Sequence, residues 1–225
     1  MGVRTADLNV GEVAARWPAA IHVLEKYHIS FCCSGNIPLS EACLARGLDP
    51  ARVLAEIDAN PSAGEWESIA ELVDHIVREH HAYLKAQLPR IQHVLEETDG
   101  NRLPGQMEAG KPLALCFRRL KEELEARMAQ QESVLFPCLR ELDRSGNPEA
   151  AGSPVQRMIV THDFAAETLA EIRRLTGSYT PPPGAGERQR ELYSNLKELE
   201  MDLHRHFHLE NNVLFPRVIR RISGG

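Results

Sequence analysis

The 225-residue chain is long enough for one large domain, or for a medium domain with a small one beside it. Hydrophobic residues at 43% and charged residues at 26% fit a globular protein with a real core and exclude a disordered chain. A net charge of -6 and a pI near 5.9 exclude the clustered cationic surface that nucleic acid or an anionic membrane requires, so neither partner is expected.

The first residues, MGVRTADLNVGEVAARW, lack the charged-then-apolar pattern of a signal peptide. No apolar run approaches the roughly 20 residues of a membrane-spanning helix. A cytoplasmic location follows as an expectation. From Val10 to Asp58 the chain predicts two or three short helices, with Val13, Trp17, Ile21, Leu24 and then Val53, Leu54 and Ile57 at helical spacing. Between them lies SFCCSGNIP, which places Cys32 and Cys33 in a turn. Thiols so placed are accessible, and near a helix N-terminus they become reactive towards oxidants, nitric oxide or metals, so these two are candidate redox thiols. Five cysteines do not form a secreted disulfide framework. Cys43, Cys116 and Cys138 read as packing residues.

The turn-rich segment Asn60-Pro-Ser-Ala-Gly64 is the best domain boundary, dividing a small cysteine-containing helical domain (1–60) from a larger one (66–222). The larger part carries four long amphipathic patterns, Trp66 to Glu97, Leu113 to Leu142, Pro154 to Leu175 and Gly186 to Ile222. Gly and Pro segments separate them. The expected fold is all-α, an antiparallel four-helix bundle with a small N-terminal helical domain.

The second and fourth helices end alike, Gln131-Glu-Ser-Val-Leu-Phe-Pro137 against Glu210-Asn-Asn-Val-Leu-Phe-Pro216. The repeat pairs Glu210 with Gln131 and His206 with Arg127. His206 and Glu210 stand one turn apart on the apolar stripe through Leu199, Leu203, Phe207 and Leu214, and so point inward. His162 and His81 occupy inward stripes of the third and first helices, although Leu72, Ile76 and His80 form a competing stripe. His204 and His208 fall on the opposite face and are expected in solvent. Three imidazoles and a carboxylate suit iron, zinc, manganese or copper, and residue type alone does not choose among them.

The stretches CCSG, EELEARMAQQESVLFP, THDFAAE and HRHFHLENNVLFP resemble the family of proteins for repair of iron centres, which joins a small cysteine-containing domain to a hemerythrin-like di-iron bundle. The resemblance covers nearly the whole chain. It implies iron as cofactor, one or two ions, with zinc or manganese as substitutes, and damaged iron-sulfur proteins as clients after nitrosative or oxidative stress. The family's four histidines and two bridging glutamates fall on His81, Arg127, Gln131, His162, His206 and Glu210, and two of these positions depart. Arg127 has no lone pair to donate, and Gln131 offers only a neutral amide oxygen. Glu132 is adjacent but points about 100° around a regular helix, so only a local distortion would bring it in. A buried guanidinium needs an anion, and Glu210 is the partner expected for Arg127. The expected outcome is a mononuclear site on His81, His162, His206 and Glu210, with Gln131, Arg127 and Glu132 as weak or substituted positions.

Two other classes stay open: a nitric oxide, oxygen or redox-sensing module, and a metal-free interaction protein. No catalytic triad or phosphate-cradling loop appears, so catalysis is left open. Nothing in the sequence defines the oligomeric state, and a homodimer is compatible with it.

Overall fold

A computed structural model describes residues 8–17, 20–29, 31, 36–58, 66–100, 107–148 and 163–223. Among them the fold is all-α, and the β structure is an isolated bridge between Asn9 and Pro38. The chain divides into two compact units, one made of 1–73, 139–153 and 204–225, the other of 74–138 and 154–203.

The first unit begins with short helices α1 (Val10–Arg16), α2 (Ala20–Lys26), α3 (Leu39–Leu44) and α4 (Pro50–Asp58), at least one more than the hydrophobic spacing predicted. At the start of α1 the Glu12 carboxylate accepts a hydrogen bond from the Asn9 backbone N–H at 3.0 Å, satisfying a donor just ahead of the first turn. These helices close on a common core in which Val10, Val13, Leu24, Phe31, Leu39, Val53 and Ile57 are all buried. Each such side chain contributes roughly 1.5–3 kcal/mol on leaving water. The same unit contains most of α5 (Ile69–His75), whose Ala70 N–H donates to Asp143 at 3.1 Å, and α11 (Phe215–Ile222).

The second unit is a four-helix bundle. It holds α6 (Ala82–Gly100), most of α7 and its continuation (Met107–Gln130 and beyond), α9 (Asp163–Leu175) and most of α10 (Glu187–His208); α8 (Phe136–Ser145) begins there and ends in the first unit. Leu84, Leu88, Ile91, Phe117, Leu120, Leu124, Leu192, Leu196 and Leu199 are buried in its interior. These are the positions that recur every three or four residues along their helices. Ion pairs Arg90–Glu191 and Arg188–Glu97 tie α6 to α10, and Arg173 pairs with the buried Glu200 at 2.8 Å to tie α9 to α10.

Among the described residues three π-helical turns interrupt the long helices: π1 (Ile76–His81), π2 (Gln131–Leu135) and π3 (Leu209–Leu214). Two of them precede a proline in the repeated Val-Leu-Phe-Pro sequence. Pro137 and Pro216 have no N–H for the carbonyl one turn back, and the turn before each widens. The repeat found in the sequence is therefore a repeat of local backbone geometry.

Candidate metal centre

All three π turns fall on residues singled out from the sequence. His81 closes π1, Gln131 and Glu132 open π2, and Glu210 lies in π3 four residues after His206. His81, His206 and Glu210 are fully buried and offer imidazole and carboxylate donors of the kind that holds a metal ion. Within the first unit, His206 Nε2 lies 3.0 Å from a Glu210 carboxylate oxygen, both side chains being almost wholly out of solvent. A carboxylate is kept in such a place only when charge or hydrogen bonds compensate its desolvation. The pair sets an imidazole and a carboxylate side by side, donors of the kind a metal ion accepts.

Within the second unit, His81 Nδ1 lies 2.8 Å from Glu132 Oε1. The ring stacks on Phe136, with centroids 5.5 Å apart. Lys85 donates to both Glu132 oxygens at 2.7 Å, so a chain of polar contacts runs from the buried imidazole out to an exposed ammonium. Burial opposes ionisation of Glu132, but the Lys85 and His81 hydrogen bonds outweigh it and hold the carboxyl below its ordinary range. Glu132 is therefore an anion beside a histidine, the arrangement that fixes an imidazole's tautomer and orientation next to a metal. The distortion required to turn Glu132 inward is π2 itself, in which Gln131 is buried and Glu132 half-buried.

His80 is also buried, but its Nδ1 is held 2.8 Å from Asp202 and its ring meets His75 edge-on. The two adjacent histidines thus answer to different carboxylates. Arg127 is half-buried, less enclosed than the sequence implied. It lies within electrostatic reach of Glu123, whose carboxyl burial pushes up and Arg127 partly draws back down. His162, Cys32 and Cys33 lie outside the described residues. Of the cysteines read as packing residues, Cys43 is fully buried and burial raises its thiol pKa, while Cys116 and Cys138 are half-buried.

The expectation for His204 and His208 is corrected. His208 is 1% exposed, and burial drives its pKa down to about 4. Both rings meet Phe31 edge-on, at 6.2 and 5.6 Å between centroids. The face opposite His206 is covered by the N-terminal helices, a contact that the periodicity of one helix does not reveal.

The buried His/Glu chemistry agrees with the match of this segment to a cation-binding domain. A model described as the hemerythrin HHE cation binding domain matches residues 54–218, and ScdA_N, described as a domain of unknown function, matches residues 6–60. The chain belongs to the hemerythrin HHE cation-binding family. It is 34% identical to the iron-sulfur cluster repair protein YtfE of Escherichia coli O157:H7, over 95% of this chain and 97% of that protein. The YtfE of Cronobacter sakazakii is 35% identical over 95% and 96%, and that of Citrobacter koseri 33% over 95% and 97%. In this hemerythrin-family chain the π turns, His206, Glu210, His81 and Glu132 all lie within the matched domain. Among the described residues no helix is long and apolar enough to cross a membrane.

Proposed function

We propose that this chain is a cytoplasmic iron-binding protein that restores iron-sulfur clusters damaged by nitric oxide or oxidants, with damaged iron-sulfur proteins as its clients. The observation that carries the reading is the fully buried His206–Glu210 pair at 3.0 Å, set in a π turn of a cation-binding domain. The names of the relatives supply the client class.

In this reading His81, His162, His206 and Glu210 hold a single iron. Glu132 engages Nδ1 of His81 and so directs the other ring nitrogen, Nε2, to the metal. Arg127 and Gln131 stand where the internal repeat requires a histidine and a glutamate, and the Arg127 charge takes the place of a second cation. Bound iron supplies redox and ligand-exchange chemistry; the protein orients the imidazoles, keeps them neutral and excludes bulk water. Residues 66–222 form the metal-binding part, and residues 1–60 bring Cys32 and Cys33 as redox thiols.

The test is elemental analysis of protein purified without oxygen or chelators, together with recovery of a nitric-oxide-damaged [4Fe–4S] enzyme on addition of that protein. One iron per chain with recovery is the expected result. Two irons would overturn the mononuclear assignment. Iron binding with a spectral response to nitric oxide but no recovery would replace repair by sensing, and no metal would leave an interaction protein.

A further inference from the structure

We propose that Asn212 is a positioning residue whose side-chain amide clamps the peptide leading into Cys32 and Cys33 and ties that clamp to the π turn carrying Glu210. The Asn212 Nδ2 group donates to the Phe31 carbonyl at 2.9 Å, and that carbonyl belongs to the peptide bond joining Phe31 to Cys32. The same nitrogen lies 3.0 Å from His208 Nδ1. Both amide hydrogens are thereby committed, and rotation of the side chain would cost both bonds. The His208 ring in turn hydrogen-bonds to the backbone of Ala14 in α1. Phe31 is 1% exposed and lies edge-on against the His204 and His208 rings, so its backbone and its side chain are held by the same stretch of helix.

Asn212 stands two residues beyond Glu210 in π3. A π turn is a rare, locally widened segment found most often at functional sites, and here Glu210 and Asn212 share one, separated by a single residue. Coordination at Glu210 therefore sets how firmly the Phe31–Cys32 peptide is gripped. This second half rests on the proposed metal role of Glu210; the clamp itself does not.

The experiment follows alkylation of Cys32 and Cys33 by iodoacetamide in the full-length protein, read by peptide mass spectrometry with and without ferrous iron, metal content being measured on the same samples. Asn212→Leu removes both hydrogen bonds, and Asn212→Asp keeps the size but loses the donor. Either change is expected to speed labelling of the metal-free protein about fivefold. Arg205→Gln is the control. It breaks the bidentate Arg205–Glu25 pair, a second tie between α10 and the N-terminal helices, and is expected to leave the rate unchanged. Iron shifts the wild-type rate and leaves the two Asn212 variants unmoved at equal iron content. Wild-type labelling rates in both Asn212 variants, or equal acceleration by Arg205→Gln, overturn the clamp. Iron that binds the wild type without moving its thiol rate overturns the coupling. A wild type that takes up no iron overturns the metal reading, and the metal-free rates then decide the clamp alone.

Discussion

The Nδ1 nitrogen of His81 and the Oε1 oxygen of Glu132 lie 2.8 Å apart, with the carboxylate in turn held by Lys85. A carboxylate in this position makes its histidine a better and more rigid ligand. Glu132→Gln keeps the size and loses the charge, and is expected to weaken metal affinity by roughly 10–100-fold. Competition titration against a chelator of known affinity measures this. An unchanged affinity would remove Glu132 from the metal site.

His206 and Glu210 give a prediction about stability. A metal that binds the native state and not the unfolded chain stabilises by about 4 kcal/mol when its concentration is roughly 1,000 times the dissociation constant. Strong chelation of the wild type is therefore expected to lower its melting temperature, and His206→Ala to abolish the response to added metal. A wild-type melting curve indifferent to both chelator and iron would contradict the assignment.

Phe31 is buried in the core of the N-terminal helices. Phe31→Ala is expected to destabilise the protein by about 3–5 kcal/mol through lost transfer energy and the cavity left behind. Denaturant unfolding monitored by circular dichroism checks the figure, and a loss below about 1 kcal/mol would mean that the site collapses without consequence.

At high pH two tyrosines contribute to stability. Burial, with the negative charges of Asp202 and Glu198, pushes the Tyr83 hydroxyl up to about 12, and burial beside Glu200 raises Tyr179 further still. In the unfolded chain both lose their protons near pH 10. The native state keeps them, so the stabilisation they contribute is fully present below about pH 10. The Tyr83 share is lost as pH rises through its folded value of about 12, and the Tyr179 share higher still. The unfolding midpoint of the wild type is expected to fall through this window, and that of a Tyr83→Phe, Tyr179→Phe variant to fall less. Parallel curves would show that other groups govern the alkaline limb.

The bundle was legible because its helices must bury one face, and that requirement is written at three-to-four spacing. The start of the second long pattern at Leu113 and the end of the fourth at Ile222 lie within the observed helices. His206 and Glu210 could be placed inside because the stripe around them is unbroken from Leu199 to Leu214. One failure has a clear cause. A helical wheel drawn for a bundle has no second surface to pack against and so puts His208 in water, whereas α1 and Phe31 cover that face. For Glu132 the sequence asks for a local distortion, and the residue lies in π2, half-buried, with its carboxylate on His81. The repeated proline at 137 and 216 was the available signal that the turn before it is not regular.

The 181-residue separation between Phe31 and Asn212 has a consequence for synthesis. Phe31 is made well before the side chains that cover it and grip its carbonyl. Until those side chains arrive the Phe31 carbonyl lacks its anchor, so the nascent chain passes through a stage in which Cys32 and Cys33 have been made but the Asn212 contact has not. On the proposed role of Cys32 and Cys33 as redox thiols, assembly of this protein in an oxidising or nitric-oxide-rich cell becomes a race between synthesis of the segment around Asn212 and modification of those thiols.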